Sequence, residues 1–203
     1  MNHMRIYILL LLTLSFPAMG DICSADKNVK DYFLSIPHAQ LRIADDERGY
    51  LTSEKDRNKA IEILDIKNGF LELQNNTIIS RTQIVLFRAK EKRPAILVTS
   101  DGVSIQNVYA FICTKDKWVN VTNILFPKLS YQEIAKLYNS KNALPGKTSS
   151  ADTLEPVAHT LVRYKLPRFG KKIQAYASHP DINNPEETIL FEFEPELGRL
   201  SWD

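Results

Sequence analysis

At Ile61, Ile63 and a polar Asp65 the pattern changes to a period of two, and short apolar runs closed by turn-forming residues continue to Thr122. That period of two places successive side chains on opposite faces of a strand. Asn68-Gly69 between Ile66 and Phe70 is the sharpest punctuation, since both residues tolerate positive φ and suit a two-residue type I′ hairpin turn. Strands are expected at Thr77–Arg88 and Ala95–Thr99 around Lys90–Pro94, then at Asn107–Cys113 and Trp118–Thr122 around Lys115-Asp116-Lys117. Asp101-Gly102 marks a further turn. Strands joined by connections this short must pair antiparallel.

Helical spacing brackets this block. Val29, Tyr32, Phe33 and Ile36 form one apolar face that Pro37 terminates, and Ser53 with Asp56 opens a brief helix to about Ala60. Residues 38–52 are polar and irregular. Tyr131, Ile134, Ala135 and Tyr138 predict a helix over Ser130–Asn139. Residues 140–157, rich in Ser, Thr, Asn, Gly and Pro, read as a loop or linker. Strands resume at His159–Leu166, Lys171–Ser178, Thr188–Glu194 and Arg199–Trp202. The expected class is α+β, dominated by about eight antiparallel strands. One unit spans residues 21–139 and a second 158–203, together forming two domains or a single one. Val85-Leu-Phe-Arg, Ile96-Leu-Val-Thr and Tyr109-Ala-Phe are echoed by Val162-Arg-Tyr-Lys, Ile173-Gln-Ala-Tyr and Leu190-Phe-Glu-Phe. A duplicated helix-plus-meander unit explains the echo. So does the alternation that any two meanders share.

The first twenty residues stand apart. Arg5 precedes an apolar run from Ile6 to Phe16, Pro17 breaks it, and Ala18 and Gly20 are small residues before a cut at Asp21. This is the pattern of a secretory signal peptide, and the run is short for a membrane span. Gly20-Asp21-Ile22 before Cys23 makes a poor lipoprotein box. The expectation is export to the periplasm or beyond, with no transmembrane segment in the mature chain. In an oxidising compartment Cys23 and Cys113 become a candidate disulfide. The competing readings are two free thiols, or a cut after Ala25 that removes Cys23.

Asp31-Tyr-Phe-Leu-Ser-Ile-Pro37, Asp65-Ile-Lys-Asn-Gly-Phe70, Val85-Leu-Phe-Arg-Ala-Lys, Lys117-Trp-Val-Asn-Val-Thr122 and Leu166-Pro-Arg-Phe-Gly170 together resemble a group of small exported bacterial proteins of uncharacterised function. The resemblance implies export and the fold class. It implies no chemistry.

Charge and motifs exclude more than they select. Lys+Arg 26 against Asp+Glu 24 is too balanced for a dedicated nucleic-acid binder. Gly146-Lys147-Thr148 ends like a P-loop, but Lys141 stands where the first glycine belongs. His179-Pro180-Asp181 reads as a turn between strands. His38, His159 and His179 are far apart and no paired-cysteine spacing exists, so neither metal nor cofactor is expected. No nucleophile elbow is present, and Cys113 lies within an apolar strand. The sequons at Asn75 and Asn120 matter only in a eukaryotic secretory pathway. Glu192, Glu194 and Glu196 offer carboxylates for a hydrolase of cell-wall polymers. Alternation with Phe191 and Phe193 reads them instead as a solvent face. Paired with Arg163 and Lys165, they would form a cross-strand charge ladder.

Two basic turns remain. One carries Arg88, Lys90, Lys92 and Arg93; the other carries Arg168, Lys171 and Lys172 beside Phe169. At one end of a sheet they would bind an acidic protein or an anionic glycan or lipid surface. The plainer reading is charge at hairpin tips that keeps edges soluble. The expected function is non-enzymatic binding of an envelope or extracellular partner, with a carboxylate-dependent hydrolase as the alternative.

Overall fold

The computed structural model describes residues 22–41, 43–45, 49–51, 53–74, 81–88, 93–101, 106–114, 117–142, 161–178 and 188–197. Residues 1–21, where a signal peptide is expected, Lys90, Lys92, most of the expected linker, and the strand expected at Arg199–Trp202 lie outside them. The fold is α+β and strand-dominant. Helix α1 (Val29–Ser35) is followed by a small ribbon, β1 (Ala44–Asp45) and β2 (Gly49–Tyr50), and by helix α2 (Glu54–Lys59). Six strands follow: β3 (Ile61–Asp65), β4 (Phe70–Leu73), β5 (Thr82–Arg88), β6 (Pro94–Asp101), β7 (Gln106–Thr114) and β8 (Lys117–Asn120). They form one antiparallel sheet in chain order. After α3 (Thr122–Leu125) and α4 (Tyr131–Asn142), strands β9 (Leu161–Lys165), β10 (Ile173–Ser178) and β11 (Thr188–Phe193) make a second antiparallel sheet in the order β11-β10-β9.

The large sheet is buried on both faces, as its centre reveals. In β6 every residue from Pro94 to Ser100 is buried. Ala95 and Leu97 point to one core, and Ile96 and Val98 to the other. A strand covered on two sides has no solvent face, so it reads as a continuous apolar run. The first core joins Phe70, Val85, Leu97 and Ala110 to Leu125 of α3 and to Tyr164, Ile173 and Ala175 of the small sheet. The two meanders thus share one apolar interior.

The second core lies under the N-terminal layer, where Val29, Tyr32, Phe33, Ile36 and Leu41 meet Leu71, Ile84, Ile96, Phe111 and Trp118. Helix α1 starts where Asn28 and Asp31 form a capping box. Cys23 and Cys113 are bonded, with sulfurs 2.08 Å apart across a separation of 90 residues. Trp118 Nε1 donates to Ser35 Oγ at 3.1 Å. Arg57, 2% exposed, reaches from α2 into this layer. Its Nη1 donates to Ile36 O at 2.6 Å and its Nη2 to Leu41 O at 3.1 Å. Its guanidinium carbon lies 5.6 Å from the Phe33 ring centroid. Burial lowers its pKa, and the two carbonyls replace part of the water it lost, its Nε being buried without a partner among the described residues.

Several expectations change. Ala44–Asp45 and Gly49–Tyr50 pair as a ribbon where irregular chain is expected. Thr122, expected as strand, opens α3: its Oγ1 accepts from Ala110 N at 2.9 Å and its hydroxyl donates to Asn120 Oδ1 at 2.7 Å. Helix α4 continues to Asn142, three residues into the expected linker. The charge ladder does not form as drawn. β10 lies between β9 and β11, and Gln174 faces Lys165 on one side and Glu192 on the other. A short hairpin makes β10, not β11, the neighbour of β9.

Candidate functional site

The turn between β3 and β4 is built by Asp65. Its Oδ1 accepts from Asn68 N at 3.2 Å and its Oδ2 from Asn68 Nδ2 at 3.0 Å. Asp65 pairs with Phe70, so four residues, 66–69, make the connection. This corrects the expected two-residue turn: the carboxylate holds the Asn68 amide and widens the loop. Gly69 takes positive φ, +66°, and donates its amide to Ile66 O. A Cβ there would stand 3.0 Å from Leu86 O, and Leu86 N donates to Gly69 O at 2.8 Å.

The β9–β10 turn comes to the same place. Arg168 Nε bonds Asp65 Oδ2 at 3.0 Å, and Arg168 also lies over the Phe169 ring, 5.5 Å from its centroid. Hydrogen bonds from Asn68 and then Arg168 hold the Asp65 carboxyl below its ordinary pKa. Gly170 turns the chain at φ +80°, with open space where a Cβ would go.

In an antiparallel meander alternate connections fall at one end. The β3–β4, β5–β6 and β7–β8 connections therefore share an end with the β9–β10 turn. Among described residues this end gathers Lys67, Arg88, Arg93, Lys117, Arg168, Lys171 and Lys172. Between the turns lies a groove of about 680 Å³, lined by Asn68, Phe87, Arg88, Lys171, Glu194 and Glu196 among others. Arg88, from the first basic turn, and Lys171, from the second, thus face one cavity. Arg88 Nη2 donates to Lys27 O at 2.8 Å, and its guanidinium carbon lies 5.9 Å from the Tyr32 ring centroid. Lys172 lies 3.7 Å from Glu192. Lys90 and Lys92 fall outside the described residues.

Glu194 and Glu196, read from the sequence as a strand's solvent face, continue past the end of β11 into the groove wall. Sequence reasoning missed Lys67 and Lys117 as companions of the basic turns. The signal was available, because counting turns along a meander assigns each to an end.

A different polar cluster binds the sheets together. Gln106 of β7 accepts from Tyr164 N at 2.6 Å and donates to Tyr164 O at 2.9 Å. Gln83 of β5 accepts from Leu166 N at 3.2 Å. These glutamines serve the outer edge of β9 as a neighbouring strand would. Around them, Arg81 pairs with Glu72 at 2.7 Å, and Arg163 lies 3.8 Å from Asp101. The hydrogen bond to Glu72 raises the Arg81 pKa.

Among described residues no group of three or more His, Cys, Asp or Glu could hold a metal ion, and no helix is long and apolar enough to cross a membrane. No known family, curated protein or solved structure matches this chain.

Proposed function

We propose that this is an exported, non-enzymatic protein that binds an anionic partner in the periplasm or outside the cell through its turn-bearing end. The observation that carries this reading is the meeting of Arg88 and Lys171 on one groove. Chain connectivity brings further basic turns to the same end, and clustered cations raise the local concentration of anionic partners. The leader-like first twenty residues and the Cys23–Cys113 bond support export. The test is retention on immobilised dextran sulfate at low ionic strength. Reversing Arg88→Glu together with Lys171→Glu should lower the salt needed for elution, while Lys55→Glu on the exposed face of α2 should change it little. Equal effects from both changes would defeat the reading.

One observation favours a second reading. Glu194 and Glu196 both line the groove, and alternate residues of an extended chain lie about 6.6 Å apart, within the span that glycosidase carboxylates use. Release of soluble fragments from a cell-wall polymer, abolished by Glu194→Gln, would turn the assignment to a hydrolase.

A further inference from the structure

The large exposed apolar side chains among the described residues are Leu64, Ile66, Ile124, Phe169 and Ile189. Two of them crown the neighbouring turns of the basic end: Ile66 is 56% exposed and Phe169 70% exposed. Leu64, 40% exposed, stands just behind Ile66. The Asp65–Arg168 bond fixes the two tips side by side. Each apolar tip is flanked by exposed cations, Lys67 beside Ile66, and Arg168 and Lys171 around Phe169.

The form of these tips discriminates between anionic partners. A hydrated acidic glycan offers no apolar phase for Ile66 and Phe169. A protein partner would need two shaped pockets to receive convex hairpin tips. The boundary between headgroups and acyl chains of a bilayer needs neither, because it deforms around whatever enters it. Apolar side chains insert there while lysines and arginines keep their charged heads among the phosphates. Among the described residues, the carboxylates at this end do not cancel the field. Asp65 is bonded to Arg168 and Glu192 is paired with Lys172. Among the described residues, Glu194 and Glu196 line the same groove as Arg88 and Lys171, which leaves Lys67 and Lys117 in excess.

Resting on the proposal that the turn-bearing end is the binding surface, we infer that its partner is an anionic lipid bilayer. Phe169 and Ile66 enter the interface, and Lys67 and Lys117, which lie outside those pairings, meet the headgroups. The protein lies on the membrane by this end.

The test uses the protein as the cell processes it, with its disulfide intact, and vesicles of phosphatidylcholine with or without anionic phosphatidylglycerol. Binding should be strong to the doped vesicles and weak to the neutral ones. Ile66→Ser with Phe169→Ser should weaken it by about tenfold or more. In a Phe169→Trp variant the introduced indole should shift its emission to the blue and be quenched by lipids brominated on the upper acyl chain, with the wild-type spectrum as blank. Both tips are exposed, and an unchanged urea midpoint will verify that the variants fold. Vesicle binding without a change in the introduced indole would overturn insertion. Retention on dextran sulfate without vesicle binding would sink the bilayer and leave the turn-end reading intact. Failure on both would remove both.

Discussion

The two faces of the large sheet are covered by different means. The N-terminal face is closed by an apolar layer locked at discrete points. The Cys23–Cys113 bond joins it to β7, the Trp118–Ser35 hydrogen bond to β8, and Arg57 grips the carbonyls of Ile36 and Leu41. The opposite face is closed by a second sheet whose core is just as apolar, but its edge is fastened by two glutamine amides. A short helix followed by irregular chain carries few backbone bonds to its neighbours, so side chains and a covalent link must fix it. A sheet arrives with a ready edge of N–H and C=O groups, and amides complete that edge. The difference is between fixing a layer by covalent constraint and fixing it by satisfying its backbone.

The largest effect should come from breaking the covalent side of this contrast. Cys113→Ser opens a loop of about 90 residues, which the chain-entropy model values at about 4.6 kcal/mol. Urea unfolding should show a loss of that order. Proteolysis should then cut first in the residues before Leu51, with the sheet core cleaved later. Simultaneous cleavage of both would mean that the layers are not separately fastened.

Gln106→Leu should have a smaller effect on the other face. It leaves Tyr164 N and O without their amide partner, at a cost of about 2 kcal/mol. Hydrogen exchange at the Tyr164 amide should quicken while α1 keeps its protection. Faster exchange in α1 as well would show that the faces are coupled.

The smallest effect lies at the junction of the two sheets. Asp65 has a depressed pKa when folded, so its contribution is fully present above the unfolded carboxyl value near 3.9 and fades as pH falls through the lower folded value. The urea midpoints of wild type and Asp65→Asn should therefore differ at pH 6 and converge in acid. A gap that is constant with pH would refute a role for the charged form.

The elements that were legible in the sequence are those whose signals are local. Val29, Tyr32, Phe33 and Ile36 announced α1, and short apolar runs separated by turn residues announced β3 to β8. Cys23 and Cys113, the only cysteines, allowed a single bridge within the chain. The rest required information from a distance. Nothing near Gln106 says that its amide will meet Tyr164, 58 positions away. The Asn68-Gly69 turn was placed but not sized, because a two-residue turn leaves Ile66 and Lys67 in the strand, whereas the Asp65 carboxylate holds Asn68 and draws both into the loop. For the candidate site, the basic turns were visible as charge runs. Their meeting on one groove depended on how the second sheet docks, and the role of Glu194 and Glu196 as groove wall depended on where β11 stops.

The disulfide also sets an order in time. A ribosome makes Cys23 early and its partner 90 residues later, after β3, β4, β5, β6 and nearly all of β7 have been made. Until then Tyr32, Phe33 and Ile36 have no finished sheet to cover. The first layer of the molecule to be synthesised is thus among the last to be secured, and during that delay the nascent chain depends on whatever else will shelter its apolar face.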